Sequence, residues 1–189
     1  PWNEKLVSIG SVLTTERINL CELLNPWASE NYANLNEIRS LSISYKSSTN
    51  DLSNNLEQNR EIFALRLQEV QYQEVERGVT LVGPHRDDLH VQLGEFPAKG
   101  YASHGESWSV AISLRLGAFN LLQNEGAEPI LILDDVFSEL DTFRRTQLMK
   151  ATHVAEQTII TAAVEGDLPL GLETERLYVQ PGRVMNARD

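Results

Sequence analysis

A run of aliphatic residues that ends in two carboxylates constrains the fold of this chain more than any other feature. Residues 130–133 read Ile-Leu-Ile-Leu, and Asp134 and Asp135 follow directly. Four consecutive aliphatic residues predict a strand buried on both faces, as in a parallel sheet. Ligands of open α/β sheets bind at the carboxyl ends of strands, and Mg²⁺ favours one or two carboxylates with phosphate oxygens and water. The stretch therefore predicts a magnesium-binding strand end of the Walker B type, although a buried strand with two capping acids has the same pattern.

The segments around this strand alternate between helical and strand patterns. Helical periodicity predicts helices at 107–123 and 143–152, and a strand is predicted at 157–161. Residues 177–185 are typical of a terminal hairpin. Strands that alternate with helices are typical of α/β folds, so we predict a partial parallel sheet with flanking helices.

The first part of the chain predicts a mostly helical arm. Asn25-Pro26 has the pattern of a second helix start, although Pro26 could instead kink one long helix. One strand pattern occurs here without a second strand to pair with it, so we expect part of its sheet to be missing. The predicted elements are helices at 3–24, 26–38 and 52–76 and a strand at 41–46.

The sequence pattern changes from helical to strand-like after Gly78, and this glycine is expected to end the preceding helix. A short strand is predicted at 79–82, and apolar and polar residues alternate again over 89–93. We therefore divide the chain into an arm, residues 1–77, and a second domain, residues 78–189.

Composition restricts the partners and the compartment. The chain has 16 basic and 27 acidic residues, a net charge of −11, and no cluster of Lys and Arg, so we expect poor nucleic-acid binding by this stretch alone. The sequence contains no apolar run of about 18 residues, so no membrane span is predicted, and no signal peptide is predicted either. The single cysteine, Cys21, is predicted to be a core residue and fits a reducing, cytoplasmic location. Pro1 in place of a starting Met suggests a piece of a longer protein.

Two further segments have the pattern of helix starts. Ser103-His104-Gly105-Glu106 combines a hydroxyl, a glycine and the free N–H groups of a first turn, which suits an anion site and equally suits an ordinary N-cap. Ser138 and Asp141, just beyond the acidic strand end, form a second plausible capping sequence.

The order of these three features resembles that of the ABC-type ATPases. The resemblance implies an ABC signature at 103–106, a Walker B strand at 130–135 and a D-loop at 138–141. Residues 83–89 and 133–141 are similar to the RecF family of recombination mediators, which is related to SMC proteins. The similarity extends to Leu24-Asn25-Pro26 and 41–47, and it covers nearly all of the 189 residues. The implied fold is the C-terminal lobe of an ABC/SMC-type ATPase head plus a helical arm.

The resemblance also implies cofactors and residue roles. ATP and Mg²⁺ are the implied cofactors, with Asp134 holding the metal through water and Asp135 orienting or deprotonating the attacking water. Ser103 and Gly105 would contact the γ-phosphate of ATP held by the opposite subunit, and Asp141 would act across that interface. The nucleotide-binding residues implied are Ser103, His104, Gly105, Glu106, Ser138 and Asp141.

The family further implies a slow ATPase that forms a homodimer on ATP. It implies binding to single-stranded and gapped DNA, partnership with RecR and RecO, and help in loading the recombinase. Its setting would be DNA replication, recombination, repair and the SOS response in the cytoplasm, with no membrane partner.

Four departures from the patterns of the RecF family and of ABC proteins in general qualify these implications. A phosphate loop needs Gly-Lys-Ser/Thr, and none of the four lysines follows a glycine, so the chain resembles the C-terminal half of the family and should be inactive alone. His104 stands where the family more often has glutamine. Asp135 stands where many ABC proteins have glutamate, and the strand at 157–161 has no switch histidine.

Other interpretations remain open. His85, Arg86, Asp87, Asp88 and His90 are either a metal site or a structural cluster of ion pairs and turns, and we favour the latter. A metal-dependent phosphoesterase would use the acidic pairs at 87–88 and 134–135. A pure interaction module would use residues 1–77 as a docking arm.

Overall fold

A computed structural model describes residues 2–35, 38–138, 140–168 and 174–186. The chain forms two compact units, Pro1–Pro129 and Ile130–Asp189. No helix among these residues is both long and apolar enough to span a bilayer.

The first unit is built from long helices and one antiparallel sheet. One continuous helix replaces the two helices predicted before residue 38, so Pro26 lies within it. Proline removes one helical hydrogen bond, but Ala28 and Tyr32 are fully buried just beyond it, and their burial stabilises the continuation. The elements are α1 (Trp2–Leu35), β1 (Leu41–Lys46), α2 (Leu56–Arg77), β2 (Asp88–Leu93), β3 (Phe96–Pro97), α3 (Ala98–Tyr101) and α4 (His104–Asn124).

Strand β1 has a partner within the chain, so the expectation of a missing partner is wrong. It pairs antiparallel with β2, in register from Leu41 opposite Leu93 to Lys46 opposite Asp88, and β3 pairs with the other edge of β2. The inward residues of β1 and β2 share one core with Ala28 and Tyr32 of α1. The two strands lie on either side of the boundary predicted between 77 and 78, which stays a prediction of where the arm ends.

The prediction of a strand at 79–82 is wrong, since these residues form no strand in the structure. Their backbone donors bond to the end of α2 instead: the Val79 N–H donates to the Glu74 carbonyl and the Leu81 N–H to the Glu74 carboxylate, at 3.3 and 2.6 Å. Gly78 at φ 65° ends α2 in the left-handed region, as predicted, and turns the chain into this segment.

Helix α1 packs closely on α4 and α2. A Cβ on Gly117 would lie 2.9 Å from the backbone nitrogen of Ala28, so α4 can approach α1 only with glycine there. Buried Phe63, Leu67 and Val70 of α2 form a second cluster with Val82, against which Leu6 and Val7 pack.

The second unit contains a parallel strand pair, as predicted. Strands β4 (Leu131–Asp134) and β5 (Thr158–Thr161) pair in parallel, and β6 (Leu177–Gln180) and β7 (Arg183–Asn186) form the predicted hairpin. Helix α5 (Thr142–Thr152) and a short 3₁₀ turn (Glu165–Asp167) complete the described elements. Burial of β4 on both faces is not observed: Leu131 and Leu133 are buried, but Ile132 is 63 % exposed.

Candidate functional site

The carboxyl ends of β4 and β5 hold the acidic pair in a fixed arrangement. The Thr161 hydroxyl donates to Asp134 Oδ1 and accepts from the Asp135 N–H at 3.1 Å. The same N–H also contacts the Thr161 carbonyl at 3.2 Å. Both aspartates are exposed, and no hydrogen bond among the described residues involves Asp134 Oδ2. One oxygen is therefore anchored while the other can accept from a ligand or a metal-bound water.

Asp135 lies in the left-handed backbone region, at φ 51°. Side chains adopt this region at some cost, although Asp and Asn tolerate it better than most. Hydrogen bonds on both sides of the residue stabilise this backbone conformation. The Asp135 N–H donates to Thr161, and its carbonyl accepts from the Ser138 hydroxyl at 2.9 Å. The backbone of Asp135 is therefore fixed by its neighbours.

The segment after the acidic pair alternates between anchors and exposed polar residues. Phe137 and Leu140 are 1 % and 5 % exposed, whereas Ser138 and Asp141 face solvent. Asp141 caps α5 by accepting from the Arg144 N–H at 2.8 Å, which agrees with the predicted capping role. Residue 139 lies outside the described residues. Hydrogen bonds thus link Asp134, Asp135 and Ser138 through Thr161 and the Asp135 backbone, and Asp141 follows as the N-cap of α5.

Ser103–Glu106 lies at the start of α4, in the first unit. Its Ser103 hydroxyl accepts from the Glu106 N–H at 3.2 Å, while the Glu106 carboxylate accepts from the Ser103 N–H at 2.9 Å. This reciprocal pair is a capping box. Arg39 lies 3.5 Å from Glu106 and offsets its charge. The helix start is thus an ordinary N-cap in this structure, and its exposed first turn also remains a candidate anion site.

Asp87 has a structural environment. Its carboxylate accepts from the Tyr45 hydroxyl at 2.6 Å, from the Ser47 hydroxyl at 3.2 Å, and from the Ser48 N–H and hydroxyl at 2.6 and 2.7 Å. Burial raises the pKa of Tyr45, and the hydrogen bond to Asp87 raises it further. The carboxylate therefore fastens the turn that follows β1.

His85 and Arg86, which precede Asp87, both form hydrogen bonds to Thr80. The Arg86 guanidinium donates twice to the Thr80 carbonyl, at 2.9 and 2.8 Å, and the His85 ring contacts the Thr80 hydroxyl at 2.7 Å. Nowhere in the described ranges do three or more His, Cys, Asp or Glu side chains gather as metal ligands. The observed bonds are those of a turn cluster.

Thr161 is the site residue that sequence reasoning missed. Its neighbours in sequence are unremarkable, and its role depends on the parallel register that places it opposite Asp134. A threonine at the end of the strand next to an acidic strand end is the signal that could have identified it, once the parallel pairing was predicted.

No family model matches the chain. It is 45 % identical to the DNA replication and repair protein RecF of Streptomyces avermitilis over 184 residues, and 42 % identical to that of Cutibacterium acnes over 198 aligned positions. Each alignment covers 97 % of this chain and 49 % or 50 % of the relative. The chain therefore spans about half the length of these relatives.

The solved structures that match this chain are also RecF structures. The recombination mediator protein RecF–ATP of the RecFOR pathway matches with a TM-score of 0.80 at 26 % identity, over 97 % of this chain and 48 % of that one. The RecF–ATPrS structure matches with a TM-score of 0.81 at 26 % identity, over 98 % and 49 %. The fold is thus that of the ABC/SMC-type ATPases, as predicted. Over 97 % of its length, the chain is therefore similar to about half of a RecF protein.

Proposed function

We propose that this chain supplies the magnesium-binding and hydrolytic side of an ATP site in a RecF-type DNA repair and recombination mediator. The observation that carries the proposal is the exposed acidic pair at the end of parallel strand β4, held by Thr161. RecF structures that match this chain contain ATP or ATPrS, which supports a nucleotide as the ligand.

Asp134 fits a water-mediated magnesium ligand. Mg²⁺ keeps several waters and takes one or two carboxylates together with phosphate oxygens, so it needs no cage of protein ligands. An exposed carboxylate with one anchored oxygen meets this requirement. When bound, the metal would neutralise charge on the phosphates.

Asp135 fits the residue that orients or deprotonates the attacking water. A general base must be held within reach of the proton that it accepts. The bonds from Thr161 and Ser138 hold the backbone of Asp135 on both sides, and its exposed carboxylate remains accessible.

The remaining nucleotide-binding residues are proposed to act between two subunits. Ser103, His104, Gly105 and Glu106 would meet the ATP of the opposite subunit, and Ser138 and Asp141 would line the interface. Because the Ser103 hydroxyl is engaged by Glu106, we propose that first-turn backbone N–H groups make the main phosphate contacts.

The whole protein is proposed to act as the family does. It would form a homodimer on ATP, bind single-stranded and gapped DNA, cooperate with RecR and RecO in the SOS response, and work in the cytoplasm. The net charge of −11 indicates that the main DNA contacts lie outside this stretch. Residues 1–77 would be the arm of the protein and residues 78–189 its ATPase lobe.

The test compares this chain with a chimera in which it replaces the matching half of Streptomyces avermitilis RecF, called here the RecF chimera. We expect no magnesium-dependent phosphate release from the chain alone, since it lacks a phosphate loop, and ATP-dependent release from the chimera. Robust turnover by the chain alone, or a chimera that binds ATP without hydrolysing it, would overturn the assignment.

A further inference from the structure

Helix α1 carries apolar residues on an exposed face as well as on its buried face. One face is buried in the first unit and includes Gly10, Thr14, Cys21, Ala28 and Tyr32. The other face remains exposed in the described structure, by 41 to 81 % for each side chain, and we call it the α1 stripe: Trp2, Ile9, Val12, Leu13, Leu20 and Leu23. A contiguous exposed apolar patch of this kind marks an interaction site, so we expect the α1 stripe to be covered by a partner.

The spacing of the α1 stripe identifies the cover as another helix. Ile9, Leu13, Leu20 and Leu23 are separated by four, seven and three residues, which are the steps of a heptad repeat. At about 100° per residue they fall within a sector of about 80°, and from residue 9 to 23 they extend over about 21 Å of the helix. A narrow seam of this length suits a single packed helix better than a sheet.

A second copy of this chain is a poor occupant of the stripe. Glu16 takes the remaining heptad position and lies midway between Ile9 and Leu23. In a two-fold antiparallel pair the two Glu16 side chains would therefore face each other, and in a parallel pair they would meet in register. Like charges at such positions are destabilising, and a net charge of −11 on each copy adds repulsion.

We propose that the α1 stripe is covered by a helix from the half of RecF that this chain does not span, and that this helix places Lys or Arg opposite Glu16. The relatives carry about as much polypeptide outside the alignment as within it, which supplies the segment. A basic residue there would convert the one acidic interruption of the seam into an ion pair.

The test measures thiol alkylation at single positions in the 189-residue chain and in the RecF chimera, with each modified residue localised by fragment-ion mass spectrometry. Leu13→Cys and Leu20→Cys report on the stripe. Ser8→Cys is the matched control, since Ser8 is exposed and lies about 100° around the helix from Ile9. Native Cys21 monitors folding, because it is buried and burial raises the pKa of its thiol, which slows its reaction.

We expect the thiols at positions 13 and 20 to react at least tenfold more slowly in the chimera than in the chain, with position 8 changed less than twofold and Cys21 unreactive in both. Equal rates in the two proteins would overturn the proposal. Protection in the isolated chain that increases with concentration would assign the stripe to a second copy and overturn it too.

The charge of the partner helix is tested by Glu16→Lys, with Glu16→Gln as its neutral control. We expect Glu16→Lys to raise alkylation at position 20 of the chimera several-fold, because it places two like charges in the seam, and Glu16→Gln to raise it less. Unchanged rates in both variants would overturn the assignment of a basic partner residue.

Discussion

Asp87 in the first unit and Asp134 in the second are both aspartates beside a strand end, but their surroundings differ. Asp87 accepts four hydrogen bonds, from Tyr45, Ser47 and Ser48. Asp134 accepts one side-chain hydrogen bond, from Thr161, and lies exposed. A carboxylate surrounded by donors of its own chain stabilises the fold, whereas one with an oxygen left over can serve a ligand. The acidic pair at 134–135 is therefore the stronger functional candidate.

The largest expected difference between the two acidic sites is in the rate of ATP hydrolysis. In the RecF chimera, Asp135→Asn should lower the rate of ATP hydrolysis by about 10²- to 10⁴-fold, the range for losing a general base. Asparagine tolerates the same left-handed backbone, so the fold should be retained. Phosphate release under saturating ATP measures the effect. Asp87→Asn, corrected for the folded fraction, should leave turnover within about twofold.

The next largest effect is on the free energy of unfolding, to which Asp87 should contribute more than Asp134. Asp87→Ala should lower the free energy of unfolding of the 189-residue chain by about 3 kcal/mol, because several donors lose a charged acceptor. Asp134→Ala should change it by less than about 0.5 kcal/mol, as expected for an exposed site. Urea denaturation followed by circular dichroism gives both values. A larger loss of stability for Asp134→Ala than for Asp87→Ala would contradict the structural role assigned to Asp87.

A smaller effect separates capping from nucleotide contact at the start of α4. Ser103→Ala should cost about 1 kcal/mol of stability, the usual cost of removing an N-cap, and Ser103→Thr should restore most of it. If first-turn N–H groups bind phosphate, Ser103→Thr should also keep the turnover of the chimera. Loss of turnover with a stable Thr variant would show that the serine side chain itself is required.

The smallest effect depends on pH. The pKa of Tyr45 is raised above its ordinary value of 10.0, so the stability that its hydroxyl contributes is complete below about pH 10 and is lost as pH rises through the higher folded-state pKa. Tyr45→Phe should thus cost about 0.5 to 1 kcal/mol near pH 8, with a smaller difference from wild type near pH 11. Paired urea denaturation at both pH values checks this. A difference that grows with pH would contradict the assigned hydrogen bond.

Local pattern predicted the elements well where one residue type dominated. The aliphatic run at 130–133 predicted β4, and the helical spacing at 107–123 and 143–152 predicted α4 and α5 with small errors at their ends. Their order along the chain also carried the resemblance to the ABC-type ATPases.

Contacts between residues that are distant in the sequence were not predicted. Pairing of β1 with β2 joins segments more than 40 residues apart, and the bonds from Tyr45 and Ser48 to Asp87 depend on that register. The continuity of α1 through Pro26 depends on burial beyond the proline, and the role of Thr161 depends on the parallel register. Each of these outcomes is decided by tertiary contacts that a local pattern does not contain.

We propose that the strand end at Asp134, and not the acidic turn at Asp87, holds the metal beside a nucleotide. Titration of Mn²⁺ into the RecF chimera with a non-hydrolysable ATP analogue, followed by electron paramagnetic resonance, tests it directly. We expect Asp134→Asn to weaken nucleotide-dependent Mn²⁺ binding at least tenfold and Asp87→Asn to leave it unchanged. Unchanged binding in Asp134→Asn together with loss in Asp87→Asn would contradict the account.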